Sequence, residues 1–305
     1  MINIIITSYN EPKATLKAVK SFLDQKIRQK FKIIVVDPFP EVESFLEKNL
    51  KKEFRQGKVE FFHDPGEGKS YALNILFQEN YSQNKGDIFI LTDGDVYVSQ
   101  NSVSEILKSF KEKKVGCVTG KPVSIDSRKT KYGYWSHFLF SGIDRVRKKL
   151  SREGKFFECS GYLFAMRNGV IYEFPLETSE DSIIPYLFWK KGYLINYAEK
   201  AEVYVKNPDN WNDWIIQKVR NIKAHENLNR LAPDMPRTKS FFNEIKEGWF
   251  FLFTFPKNIR ELLWTLELYF ARLYIYIKAF SELRKKHSYR DGWRETEIKS
   301  TKPLD

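Results

Sequence analysis

Cysteine is scarce in this chain: among 305 residues only Cys117 and Cys159 carry thiols. Two distant thiols cannot frame a disulfide scaffold, and without CxxC spacing they make a poor zinc site. Histidine is nearly as rare, at four. His63, His137 and His287 have no partners at metal-ligand spacing, which leaves His225 as a lone candidate ligand. Internal repeats and low-complexity tracts are absent. With 42% hydrophobic and 30% charged residues, the composition excludes both a disordered chain and a polytopic membrane protein. The opening MINIIITSYN has no basic n-region and no small-residue cleavage site. It reads as a buried strand rather than a signal peptide, and the expected compartment is the cytoplasm.

A chain of this length builds one large domain or two small ones with a real core. The net charge is +12, and the last hundred residues hold 19 basic and 13 acidic side chains. Net positive charge per residue roughly doubles there. Such a field favours a lipid surface, a phosphorylated substrate or nucleic acid, unless it is only a solvated surface.

The first third alternates two patterns. Apolar runs at 2–7 and 31–36 read as buried strands, and 59–62 and 87–91 read as two further strands. Helical spacing over 12–26, 41–54 and 69–78 separates them. The order predicts an α/β fold with a largely parallel sheet flanked by helices, and ligands bind beyond the carboxyl ends of such strands. Polar residues gather at those ends: 7–11, Asp37, and Asp93 with Asp95. The middle is less regular, with short strands near 116–119 and 162–166, a basic helix over 135–150 and a helical run after Asp181.

The last part changes character. Residues 241–280 contain 13 aromatic residues. From Ile259 to Phe280 the period is helical, and Leu262, Leu266, Tyr269, Phe270, Leu273, Tyr276, Ile277 and Phe280 fall on one broad face. Glu267 and Arg272 would lie mid-membrane in a spanning helix, so a helix lying in the bilayer interface fits better. Packing of the apolar face on the protein's own core, or on a second copy in a homodimer, is the other reading.

Three groups can carry chemistry. Asp93-Gly94-Asp95 follows a buried strand, and its hard oxygens suit Mg²⁺ or Mn²⁺ completed by phosphate oxygens and water; an Asp-Gly turn is the plainer reading. Glu180-Asp181 precedes a helical run and serves either as an N-terminal cap or as a general base. Gly66-Glu67-Gly68-Lys69-Ser70 is not a P-loop, because His63 occupies the place of the first Walker glycine, but Lys69 at a helix start can still meet a diphosphate.

The ordered set is more specific than its parts. Residues 7–11, Asp37, 68–74, 93–95, 161–167, 179–181 and 217–220 together resemble an inverting family 2 glycosyltransferase of the GT-A fold. The likeness is strongest to the cellulose, hyaluronan and poly-N-acetylglucosamine synthase branch. There a TED motif is followed by a glycine, a tyrosine, a proline and QxxRW; Asp181, Gly192, Tyr197, Pro208, Gln217 and Arg220 match here. Asn221 replaces the tryptophan and Ser179 the threonine, and the flanking transmembrane helices of that branch are missing, which argues for a non-processive enzyme.

The resemblance implies a catalytic domain over 1–230, with a nucleotide-sugar half over 1–114 and an acceptor half over 115–230. A helical extension over 231–305 follows. It assigns Thr7, Tyr9, Glu11, Asp37, Lys69, Asp93, Gln217 and Arg220 to the nucleotide-sugar, Asp95 with Asp93 to the metal, Asp181 with Glu180 to catalysis, and Gly161 with Tyr162 to the acceptor. UDP-sugar is the first expectation for the donor and GDP-sugar the second. The acceptor is a saccharide or a lipid-linked hydroxyl, reached from the membrane surface through residues 241–286. The alternative is a non-catalytic nucleotide-, glycan- or nucleic-acid-binding protein on the same fold. Nucleic acid is not an expected partner, because the strand-end carboxylates would repel its phosphates. A sugar-phosphate nucleotidyltransferase is disfavoured, since residues 7–11 lack its glycine-rich basic loop.

Overall fold

The computed structural model describes residues 1–284 except 85, 177 and 238–240. Four parallel strands, β1 (Ile2–Thr7), β2 (Phe31–Asp37), β3 (Val59–His63) and β4 (Ile88–Asp93), form one half of an eight-stranded sheet. The remaining strands are β5 (Tyr97–Val98), β6 (Val115–Ser124), β7 (Phe164–Arg167) and β8 (Leu194–Val205), and the sheet order is β3-β2-β1-β4-β7-β6-β8-β5. β7 runs antiparallel to both β4 and β6, while β6 and β8 are parallel. The sheet is thus mixed, and only its first half is the parallel array expected from the apolar runs.

β1 and β4 are buried at every position, which is why they read as unbroken apolar runs. Their side chains alternate between two cores. Ile2, Ile4 and Ile6 pack with Ala18, Val19 and Phe22 of α1 (Pro12–Leu23), Val42 and Leu46 of α2 (Pro40–Asn49), and Val103 and Ile106 of α5 (Ser102–Ser109). Ile5 points the other way, to Ala72, Leu73, Leu76 and Phe77 of α4 (Lys69–Glu79) and to Ile183, Ile184 and Phe188 of α7 (Glu180–Lys190). Between α2 and α4, α3 (Lys51–Arg55) breaks what reads as one helix over 41–54. Cys117 and Cys159 are both free thiols, and both are fully buried in or beside this second core.

A third cluster joins α6 (Lys131–Arg152), α8 (Trp211–Leu231), α9 (Phe241–Thr254) and α10 (Ile259–Arg284). Tyr134, Trp135 and Phe138 of α6 meet Trp214, Ile215, Val219 and Ile222 of α8, and Leu268, Ala271, Ile275 and Ala279 of α10. The structure does not bury the broad apolar face of α10 in the protein's own core, the second of the two readings. The helix's buried residues are Glu261, Thr265, Leu268, Ala271, Ile275 and Ala279, while Leu266, Phe270, Leu273, Ile277 and Phe280 are exposed. Leu262, Tyr269 and Tyr276 of the expected apolar face are half-buried at its margin. Small side chains let the helix approach closely, and its inward polar groups are satisfied. Arg128 grips Glu261 at 2.8 and 2.9 Å, Tyr134 bonds Thr265 at 2.6 Å, and Trp135 Nε1 donates to the Trp264 carbonyl at 2.7 Å. No helix among the described residues is long and apolar enough to cross a membrane. Residues 285–305, including His287 and the last two of the expected membrane segment, lie outside the described set.

Candidate active site

The chain leaves β1 to one side to build β2 and β3, then returns to the other side for β4. Strand order reverses at this point, and a crevice opens beyond the strand ends. A cavity of about 220 Å³ lies there, lined by Thr7, Ser8, Tyr9, Glu11, Lys69, Asp93, Gly94 and Asp95 among others. Parallel pairing brings Thr7 opposite Asp93. Gly94 is forced by packing: its amide donates to the Thr7 carbonyl at 2.7 Å, and an added Cβ would lie 2.5 Å from Ser8 Cβ. The glycine between the two aspartates thus presses the β1 and β4 ends together.

Asp37 takes a different place from the one its strand-end position suggested. It is fully buried and does not line the cavity. Its carboxylate accepts bonds from Ser8 Oγ at 2.6 Å, the Asn10 amide at 3.0 Å and the Phe39 amide at 2.9 Å. Asn10 has a φ of 52°, in the left-handed region where few side chains rest. Asp37 therefore shapes the loop carrying Tyr9 and Glu11.

Lys69 is the centre of the charge arrangement. Gly68 caps α4 at a φ of 101°, which a glycine adopts without strain, and aims the helix's first residue inward. The buried ammonium lies 2.8 Å from Asp93 Oδ1 and 2.5 Å from Glu180 Oε1. Burial alone would lower its pKa, but the two carboxylates outweigh that and hold it charged well above the ordinary lysine range. Burial pushes the Glu180 carboxyl up to about 7, against the pull of Lys69 and with the help of Asp181 and Asp93. One cation thus ties Asp93 at the end of β4 to Glu180 at the start of α7.

Asp181, next in line, is aimed by a different set. The Gly161 amide donates to its Oδ2 at 3.0 Å and Ser179 Oγ to its Oδ1 at 2.5 Å. Its carbonyl accepts the Cys159 amide at 2.9 Å. The turn that carries Gly161 is itself clamped: Arg147 Nη2 donates to the Cys159 carbonyl at 2.7 Å, and the Ser160 amide to Thr119 Oγ1 at 3.0 Å. His225, the lone candidate ligand, is instead 3.3 Å from Glu158, whose carboxylate also accepts Ser182 Oγ at 2.6 Å. Sequence spacing gave no sign of Arg147 or Thr119, because they act on backbone of this turn from other elements.

Tyr162 shows how closely the motifs converge. Burial raises its hydroxyl pKa, and the charges of Asp95, Asp93 and Asp181 add to the rise while Arg220 opposes it. Four of the chosen residues thus surround one phenol. Gln217 is half-buried on α8, and its Oε1 accepts no hydrogen bond from the described residues. Among the described residues no cluster of three or more metal-ligating side chains exists. Asp93 and Asp95 fit a hard divalent cation only if substrate oxygens and water complete its shell.

The glycosyl transferase family 2 model matches residues 3–174, more than half of the chain. The hyaluronan synthase of Streptococcus pyogenes is 28% identical over 178 residues, covering 55% of this chain and 40% of the synthase, so the chain spans well under half of that relative. Among solved structures, the mannosyltransferase PcManGT from Pyrobaculum calidifontis, in complex with GDP-Man and Mn²⁺, superposes with a TM-score of 0.57 at 15% identity. That match covers 93% of this chain and 79% of the other. Residues 1–349 of TarS from S. aureus, in complex with UDP-GlcNAc, give a TM-score of 0.49 at 17% identity, covering 95% and 93%. The fold is GT-A, and the chain belongs to glycosyl transferase family 2.

Proposed function

We propose that the protein transfers a sugar from a nucleoside-diphosphate sugar to a hydroxyl of a saccharide or lipid-linked acceptor, with inversion and without processive extension. The observation that carries this reading is the Lys69 bridge, which joins a carboxylate of the crevice to the acidic pair at the start of α7. Donor and acceptor machinery meet there. A UDP-sugar is the first choice of donor and a GDP-sugar the second. PcManGT, which shares the fold, was solved with GDP-Man and Mn²⁺. We divide the chain into a catalytic unit over 1–230 and an extension beyond it, noting that α8 ends at Leu231.

Thr7, Tyr9 and Glu11 line the crevice and hold the nucleoside, while Asp37 fixes the loop that carries two of them. Asp93 and Asp95 would hold Mg²⁺ or Mn²⁺, with substrate oxygens and water completing its shell. When bound, that cation offsets charge on the leaving group. Lys69 holds the Asp93 and Glu180 side chains side by side at the crevice. Arg220 and Gln217 of α8 supply positive charge and an amide near the leaving group. Asp181, aimed by Gly161 and Ser179, takes the acceptor proton. The acceptor oxygen attacks the anomeric carbon as the bond to the diphosphate breaks, so a single displacement inverts the centre. Gly161 and Tyr162 form the acceptor wall.

Thermal melting against UDP, GDP, CMP and dTDP, with Mn²⁺ and with EDTA, tests the donor site. One nucleotide should raise the melting temperature only with metal, and Asp95→Ala should abolish the shift while melting normally without ligand. No shift with any nucleotide would defeat the reading. Asp181→Asn should keep the nucleotide shift yet lower turnover by about 10²–10⁴.

A further inference from the structure

The outer side of α10 is as regular as its inner side. Ile259, Leu263, Leu266, Phe270, Leu273, Ile277 and Phe280 are all exposed, Phe270 to 73% and Ile277 to 61%. Steps of four and three residues alternate, so the row runs straight along one side of the helix for roughly 32 Å. The neighbouring α9 adds Trp249 at 63% and Phe253 at 69%. Single exposed apolar residues need no partner, but an aligned row of this length does.

The border of the row is cationic. Arg260 and Lys278 each stand one residue beyond a row member, about a quarter turn round the helix. Lys257 is exposed before the helix starts, and Arg284 prolongs the row at its end. Among the acids of α10, Glu261 is held by Arg128 and Glu282 by Lys223. Glu267 is the acid left on the border, and Lys131 lies 3.3 Å from it.

We propose that this face docks on a lipid bilayer bearing anionic headgroups, with the apolar row entering the interface and Lys257, Arg260, Lys278 and Arg284 meeting the headgroups. The helix lies on the membrane rather than crossing it. Charge decides between a bilayer and a second copy. Two such borders face to face would set like charges together, and the flank of Leu262, Tyr269 and Tyr276 carries a further cation, Arg272 over the Tyr276 ring, rather than an acid to pair across a helix seam. The inference stands apart from the donor-site reading, because none of these residues lines the crevice.

Flotation of the full chain tests it, using vesicles of phosphatidylcholine alone and of phosphatidylcholine mixed with phosphatidylglycerol. The wild type should float with the anionic vesicles at least about tenfold more than with the neutral ones, and less so at high salt. The double variant Phe270→Glu/Ile277→Glu should melt like the wild type and lose about tenfold or more of its flotation. Equal recovery of the two proteins, or a wild type that stays at the bottom of the gradient, overturns the proposal. So does light scattering that shows a wild-type dimer split by the same substitutions, which would give the face to a second copy.

Discussion

Glu180 carries a pH signature of its own. Its folded-state pKa, about 7, lies above the ordinary 4.5, so between those values the native state holds a proton that the unfolded state has lost. The stability this group contributes is therefore present in full below about 4.5 and is lost as pH rises through about 7. Glu180→Gln removes the titration. The melting temperature of the wild type minus that of the variant should be higher at pH 5 than at pH 8, by about 2 °C or more. A difference that does not change with pH would mean that the carboxyl titrates as it does in the unfolded chain. Lys69 was legible as a cation at a helix start, but not as a bridge: nothing in the spacing of 69, 93 and 180 says that one ammonium meets both carboxylates. Asp37 shows the reverse limit. A strand-end aspartate looks the same in sequence whether it faces a ligand or three loop donors.

At the scale of elements, legibility followed burial. β1, β2 and β4 are covered on both faces and write themselves as apolar runs. β8 does not, because Glu199, Lys200 and Glu202 interrupt a strand that is only partly covered. β5 has two residues, too few for any period, and α5 hides among serines. α10 was legible as a helix with one broad apolar face, but its inner face was not, since Glu261, Thr265, Ala271 and Ala279 carry no strong hydrophobic period. The structure turns the small-residue face inward and satisfies its polar groups through Arg128 and Tyr134. Two neighbouring isoleucines test that orientation. Ile275→Ala, in the fully buried row, should cost about 2–5 kcal/mol, and Ile277→Ala, on the outer row, within about 0.5 kcal/mol. Urea melts of both variants check this, and equal costs would contradict the orientation of the helix.

For the whole molecule, the C-terminal helices are more than an appendage. α10 covers Tyr134, Trp135 and Phe138 of α6 together with Trp214 of α8, and α6 also supplies Arg147, which clamps the turn before Gly161. Calorimetry of the full chain should therefore show one cooperative transition that includes the helical extension; a separate low-temperature transition would mean that the extension folds alone. Removing everything after residue 240 would uncover those aromatic rings, so loss of membrane binding in such a truncation would say little about the outer row. Point substitutions on that row are the cleaner instrument.

The sealed thiols offer a practical route to watching the row directly. Cys117 and Cys159 are both buried, and burial raises the Cys117 pKa further, so neither presents an accessible thiolate in the native state. A cysteine installed at Phe270 or Ile277 would be the one reactive handle on the folded chain. A spin label or fluorophore attached there, on an otherwise unaltered background, would report depth, distance and exchange from the chosen position alone.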